Sequence, residues 1–411
     1  MFYKSNFIQN IFTLSSGTFV SQLILFLATP FLSRLYTPEN FGLLALYLSI
    51  VGIFWTISAG KYELAIVLPK KNKTAVELLF ISIILNAISF LLLLILILFL
   101  IKICKFDLNV IYLFIPFGII IESLISSFNQ YNNRYKQYKY MSIIKVLRSI
   151  IVSLLQILFF YNGIINFGLV WGFIIGAFIS LVFLVIPHYQ LLLNAYKTTT
   201  RIDLISTSKD FIRFPKFQAI STFLNAISQN SILLLLSFFY GPIIVGYYSL
   251  AHRTLKMPIV LISESVRQVF YKEGTDLFNN QKKILKIFNK TTFMLLLISL
   301  PAILLVWQYL PYLFKIIFGD QWILTGQFSQ ILIFWFLFLF INPPTIATVQ
   351  ILSLQKEYMV YESLLLISRL IAIILGYYFY YDVFVSLKLF TLVSVIFNII
   401  LIIYIYIKLK K

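Results

Sequence analysis

Arg253, Lys256, Glu264 and Arg267 fall inside one apolar stretch, Tyr240 to Tyr271, long enough to cross a bilayer. On a helix turning ~100° per residue, Lys256 lies roughly −60° from Arg253, Glu264 roughly +20° and Arg267 roughly −40°. All four share an arc of about 80°. A charge near mid-membrane costs at least ~2.5 kcal/mol and rarely faces lipid. The stripe is therefore expected to face a protein interior or a water-filled cavity, with Arg253 and Lys256 too deep to snorkel easily. Such a cationic wall suits an anion, which Arg can grip through two parallel N–H bonds. The competing reading is a set of structurally paired side chains.

Other polar residues lie in apolar runs. Gln22 is on the first, and Asn225, Gln229 and Asn230 are on the seventh. They are candidates to bind hydroxyls, although polar groups in membrane helices often only join helices. Glu122 matches Lys145 and Arg148 in depth, as an ion pair or as a proton- or sodium-linked site. Glu362 and Arg369 are spaced for one helix face and read as a structural pair. Lys61 and Glu63 stand at a rim where they would form a gate contact.

The elements that must position these residues follow from composition. The chain has 411 residues, 61% hydrophobic, 18% aromatic and 11% charged. That is too little charge to cover a soluble surface. Its apolar runs are long and do not alternate, so they read as helices and not barrel strands. About twelve spans are expected, near 8–32, 41–60, 76–101, 109–129, 141–161, 164–187, 211–239, 243–270, 291–310, 326–350, 358–379 and 384–407. The first is long, polar in places and followed by many more, unlike a signal peptide. The net charge of +19 would suit nucleic acid, but the cations lie between apolar runs. With both termini cytoplasmic, 22 Lys and Arg fall on inner segments and 5 on outer ones, as the positive-inside rule requires. Cys104 is the lone cysteine and there are two histidines, so neither a disulfide nor a metal site is expected.

The chain also repeats. Leu32-Ser-Arg-Leu-Tyr-Thr-Pro38-Glu-Asn-Phe-Gly42 aligns without gaps with Leu236-Ser-Phe-Phe-Tyr-Gly-Pro242-Ile-Ile-Val-Gly246. The two copies are six spans apart, which gives the halves the same orientation, a parallel repeat. The expected organisation is a six-helix lobe over 1–195, a cytoplasmic linker over 196–208 and a second six-helix lobe over 209–411.

Arg34-Leu-Tyr-Thr-Pro-Glu-Asn-Phe-Gly42 and Lys61-Tyr-Glu-Leu-Ala-Ile-Val-Leu-Pro-Lys70 resemble the first spans of Wzx-like flippases of polysaccharide biosynthesis. Arg213-Phe-Pro215, Asn225, Tyr240-Gly-Pro242, Val245-Gly-Tyr-Tyr-Ser-Leu250, Arg253, Pro258 and Gln268-Val-Phe-Tyr271 resemble spans seven and eight of that family. The family belongs to the multidrug/oligosaccharidyl-lipid/polysaccharide exporter superfamily. The resemblance implies an all-α fold with two six-helix bundles around a central cleft. It also implies movement of undecaprenyl-diphosphate-linked oligosaccharide across the bacterial cytoplasmic membrane, for O-antigen, lipopolysaccharide or capsule. A polymerase and a chain-length regulator would be partners. Lys61, expected with Arg253 and Lys256 to bind substrate in the cationic cleft, stands where the family has arginine, and Lys256 is a cation the pattern does not demand.

No Gly-x-x-x-x-Gly-Lys-Ser/Thr loop is present, so no nucleotide cofactor is expected. A coupling proton or sodium ion stays open. The alternatives are a small-molecule or multidrug exporter, which would prefer acidic residues, and a membrane-embedded polymerase or glycosyltransferase, which would want a large outer loop or an acidic pair.

Overall fold

The structure, a computed structural model, describes residues 2–102, 110–280 and 283–410; Cys104 lies outside them. Among the described residues there is no β-strand, and twelve long helices follow in order. They are α1 (Phe2–Leu35), α2 (Pro38–Ser58), α3 (Asn72–Lys102), α4 (Ile115–Arg134), α5 (Tyr138–Tyr161), α6 (Gly168–Val185), α7 (Ile220–Tyr240), α8 (Pro242–Asn279), α9 (Leu285–Trp307), α10 (Ile323–Ile341), α11 (Gln355–Tyr380) and α12 (Val383–Lys410). Eleven helices among the described residues are long and apolar enough to cross a membrane. α8 is not one of them: Arg253, Lys256, Glu264 and Arg267 interrupt its apolar run.

Local chemistry sets the helix ends. Pro38 is the first residue of α2, where a missing N–H is harmless. The Thr37 N–H donates to Asn40 Oδ1 at 3.1 Å, and the Asn40 N–H donates to Thr37 Oγ1 at 3.4 Å, a reciprocal cap. α8 starts the same way at Pro242. It runs to Asn279, beyond the expected end at 270, and keeps Pro258 inside. The expected tenth span, 326–350, is broken. α10 stops at Ile341, and a separate helix, Pro343–Ile351, follows Asn342. Pro343 and Pro344 have no N–H to offer the carbonyls one turn back.

The chain forms two compact units. The first comprises Met1–Tyr36 and Leu43–Leu234. Here α1 packs along α5, α5 along α6 and α3 along α4. Gln156 Nε2 donates to the Leu169 carbonyl at 2.9 Å, and the Tyr36 hydroxyl donates to the Gln156 carbonyl at 2.6 Å. Tyr47, Leu78, Leu79, Ile119 and Tyr131 lie in its core. The segment expected as a linker holds a helix, Arg201–Asp210, capped reciprocally by Thr200 and Asp203 and packed on α3. Thr207 Oγ1 donates to Glu77 Oε2 at 2.6 Å, and Lys73 Nζ lies 3.1 Å from Asp203 Oδ2. The units divide inside α7, after Leu234. The expected boundaries at 195 and 209 do not coincide with that division, because this helix and the start of α7 pack within the first unit.

The second unit comprises Thr37–Gly42 and Leu235–Lys411. α8 packs on α10 and on Pro343–Ile351, α10 on α12, and α11 on α12. Trp322, Phe328, Phe336 and Phe390 are buried in it. Within this unit the first turn of α2 crosses the start of α8. A Cβ on Gly42 would run into the Pro242 carbonyl, and one on Gly246 into the Pro38 carbonyl. Only glycine lets two helix backbones approach so closely.

Candidate functional site

In the first unit the candidate residues fall into three groups. Arg148 on α5 forms a two-point ion pair with Glu122 on α4, Nη1 to Oε2 at 3.2 Å and Nη2 to Oε1. Its guanidinium also sits over the Phe173 ring at 5.2 Å. Lys145, one turn earlier on α5, is not part of that pair. Its Nζ donates to Thr18 Oγ1 on α1 at 3.3 Å. Gln22, one turn beyond Thr18, is exposed.

The second group is on α7. Gln229 Nε2 donates to Asn225 Oδ1 at 2.9 Å, and both residues are exposed. Asn230 is half-buried, with Nδ2 donating to the Ala226 carbonyl at 2.9 Å and the amide beside Gly52. Asn225 thus keeps its NH₂ and Gln229 its carbonyl oxygen open.

The third group is the turn after α2. Gly60 and Lys61 are both left-handed, with φ of 59° and 60°. Left-handed backbone is uncommon for a lysine, and it turns the side chain inward. Lys61 is only 5% exposed. Its Nζ lies 3.3 Å from Glu63 Oε1 and 4.6 Å over the Trp55 ring. Lys61 is therefore a buried, paired cation and not an open one. Burial pushes the Glu63 carboxyl above the usual carboxylate range, with Lys61 pulling the other way. Glu63 Oε2 has no partner.

Sequence reasoning missed what braces the next turn. Arg134, counted only as an inner cation, donates to the carbonyls of Ile66 at 3.2 Å and Pro69 at 2.6 Å and to Asn72 Oδ1 at 3.0 Å. No spacing rule links Arg134 to a loop more than sixty residues earlier.

In the second unit, α8 carries the stripe. Arg253 and Lys256 are exposed and Arg267 is half-buried; the Glu264 side chain lies outside the described residues. Arg253 and Arg267 each also have an interaction within the chain. His252 points the other way. Its ring lies 5.8 Å from Tyr248, 5.9 Å from Trp335 and 5.5 Å from Phe336. So α8 buries one face on α10 and leaves Arg253 and Lys256 on another.

Arg369 on α11 was expected to pair with Glu362, and its partners are others. It makes no ion pair with Glu362; its Nε donates to Ser394 Oγ at 2.8 Å. Its Cζ lies 4.8 Å from the Trp335 ring and 5.2 Å from the Phe390 ring. Grooves of this unit include one of about 670 Å³ beside Tyr358, Tyr361 and Tyr404 and one of about 780 Å³ beside Trp307, Phe334 and Lys388. Neither is lined by Arg253 or Lys256.

Helices of this length and hydropathy make this a multi-pass membrane protein, with the fold of known exporters and lipid flippases. It is similar to the lipid II flippase MurJ in an inward closed conformation, with a TM-score of 0.70, 16% identity and 97% and 87% of the two chains covered. It is similar to a multidrug resistance MATE family transporter of the MOP superfamily, inward-facing, with 0.57, 13%, 98% and 94%. A third likeness is to a MOP superfamily transporter from Pyrococcus furiosus, described as having a binding pocket of reverse polarity, with 0.55, 14%, 98% and 95%. At these identities the likeness is one of fold. Residues 31–325 match the family described as polysaccharide biosynthesis protein, and the chain belongs to that family. Among curated relatives, the teichuronic acid biosynthesis protein TuaB of Bacillus subtilis (strain 168) is 26% identical over 124 residues. That match spans 30% of this chain and 26% of TuaB, about a quarter of the relative's length.

Proposed function

We propose that the chain is a flippase that moves undecaprenyl-diphosphate-linked oligosaccharide repeat units across the bacterial cytoplasmic membrane by alternating access. Both termini lie in the cytoplasm, and the units feed assembly of a surface polysaccharide such as O-antigen or capsule. The observation that carries the reading is the exposed pair Arg253 and Lys256 on α8 in a chain of the polysaccharide biosynthesis family. A diphosphate carries charge and several oxygen acceptors. A guanidinium takes it bidentately and an ammonium adds a point charge. Asn225, Gln229 and Gln22 offer neutral hydrogen bonds to sugar hydroxyls.

No bond is made or broken in this reading, so the chain is a transporter and not an enzyme. A polymerase and a chain-length regulator would act on the delivered units. A proton or sodium ion is the natural coupling species, and Glu122 with Arg148 is the described pair best placed to respond to one.

A small-molecule exporter is the second reading, favoured by the likeness to MATE transporters. Such a protein for cationic drugs would present acids, whereas the exposed charges described on the first half of α8 are Arg253 and Lys256. The test is an Arg253→Ala strain. Surface polysaccharide should be lost while the protein still accumulates in the membrane and lipid-linked units pile up on the inner leaflet. Normal polysaccharide in that strain would refute the proposed role.

A further inference from the structure

Arg369 sits midway along α11 with most of its hydrogen-bonding capacity unused. Nε donates to Ser394, but among the described residues no protein acceptor meets Nη1 or Nη2. Glu362, two turns away on the same helix, is not within ion-pair distance. The guanidinium rests against the faces of Trp335 and Phe390 instead, which attracts a cation but fills none of its N–H groups. Trp335 is 6% exposed, and its indole N–H is buried without a partner. His252 also lies beside that indole, with ring centroids 5.9 Å apart, and its ring nitrogens make no hydrogen bond among the described residues. Three helices thus bring together donors of three kinds, with no described carboxylate paired to them.

Unfilled donors around a cation with no ion-pair contact are costly inside a membrane protein unless an acceptor arrives. The two Nη groups form a planar fork, matched by two oxygens of one oxyanion. We propose that Arg369, with His252 beside the same Trp335 indole, forms a second anion-binding site inside the C-terminal unit, taking a phosphate or carboxylate. That the anion belongs to the cargo rests on the flippase reading; the site itself does not. On such a cargo the oxyanion is either the diphosphate of the carrier or the carboxylate of an acidic sugar.

Trp335 touches the guanidinium and so reports occupancy. Purified full-length protein in detergent is titrated with inorganic pyrophosphate, with glucuronate and with chloride, while tryptophan emission is read. A saturable change is expected with pyrophosphate or glucuronate, and which of them produces it identifies the source. The change should vanish in Trp335→Phe, weaken about tenfold or more in Arg369→Gln, since bonds to a charged group are lost, and weaken less in Arg369→Lys. Lys356→Gln, which removes an exposed cation at the start of the same helix, should leave it unchanged. If Arg369→Gln does not fold, a severalfold weakening in Arg369→Lys carries the proposal, since only the fork is lost. The proposal is overturned by no response to either oxyanion, by an equal response to chloride, or by wild-type affinity in folded Arg369→Gln or Arg369→Lys. Because the readout is binding and not transport, a failed flippase reading would leave this result standing.

Discussion

Lys61 and Glu63 hold each other in one buried turn, and removing one partner leaves an uncompensated charge. Lys61→Met, which leaves the buried Glu63 carboxylate without its partner, should lose about 3–5 kcal/mol of stability, and Lys61→Met with Glu63→Gln should recover much of that. Thermal melts of the purified proteins measure both, and a double variant less stable than either single one would show that the pair is not the cause. The pH dependence has a definite sign. Burial raises the Glu63 carboxyl above its unfolded value, so the folded state takes up the proton more readily. Its contribution therefore improves as pH falls through the raised value and worsens as pH rises past it. Wild type should gain stability relative to Glu63→Gln on acidification; a relative loss would mean that Lys61, and not burial, dominates. The Lys61–Glu63 contact was legible because the residues are two apart. Arg369 was not: its spacing from Glu362 fixes a shared helix face, but not that α11 presents it to Trp335 and Phe390.

At the scale of elements, long apolar runs made the helices legible, and proline marked several of their ends. The break at Asn342 was passed over because apolar residues continue on both sides, although Pro343 and Pro344 carried the signal. The true end of α8 was hidden by the polar character of its last turns. Gly42 and Gly246 were read as a sequence repeat; their mutual packing was invisible, since alignment says nothing of contact. Gly42→Ala and Gly246→Ala should each destabilise by about 1–3 kcal/mol or more, because backbone and not a flexible side chain stands in the way. Wild-type melting in both would show that the helices do not cross so closely. Arg134→Gln should free the 66–72 turn, and trypsin should then cut at Lys70 or Lys71 several-fold faster, as loops that lose their bonds open more often. Unchanged cutting would leave Arg134 without that bracing role.

For the whole molecule, the bias of 22 inner against 5 outer cations makes a topological statement. A fluorescent protein fused after Lys411 should glow, and alkaline phosphatase fused there should be inactive; active phosphatase would reverse the orientation. The membrane class, the helix count and the family were legible from composition, periodicity and the motifs around residues 30–75 and 210–272. The sorting of charges into buried pairs and open groups was not, because it depends on which helices touch. The most direct measurement of the central claim uses purified protein in liposomes carrying a labelled undecaprenyl-diphosphate oligosaccharide, with its exposure in each leaflet followed over time. Wild type should move the label across, and Arg253→Ala, reconstituted to the same level, should not. Equal rates in the two, or no movement in either, would contradict the account.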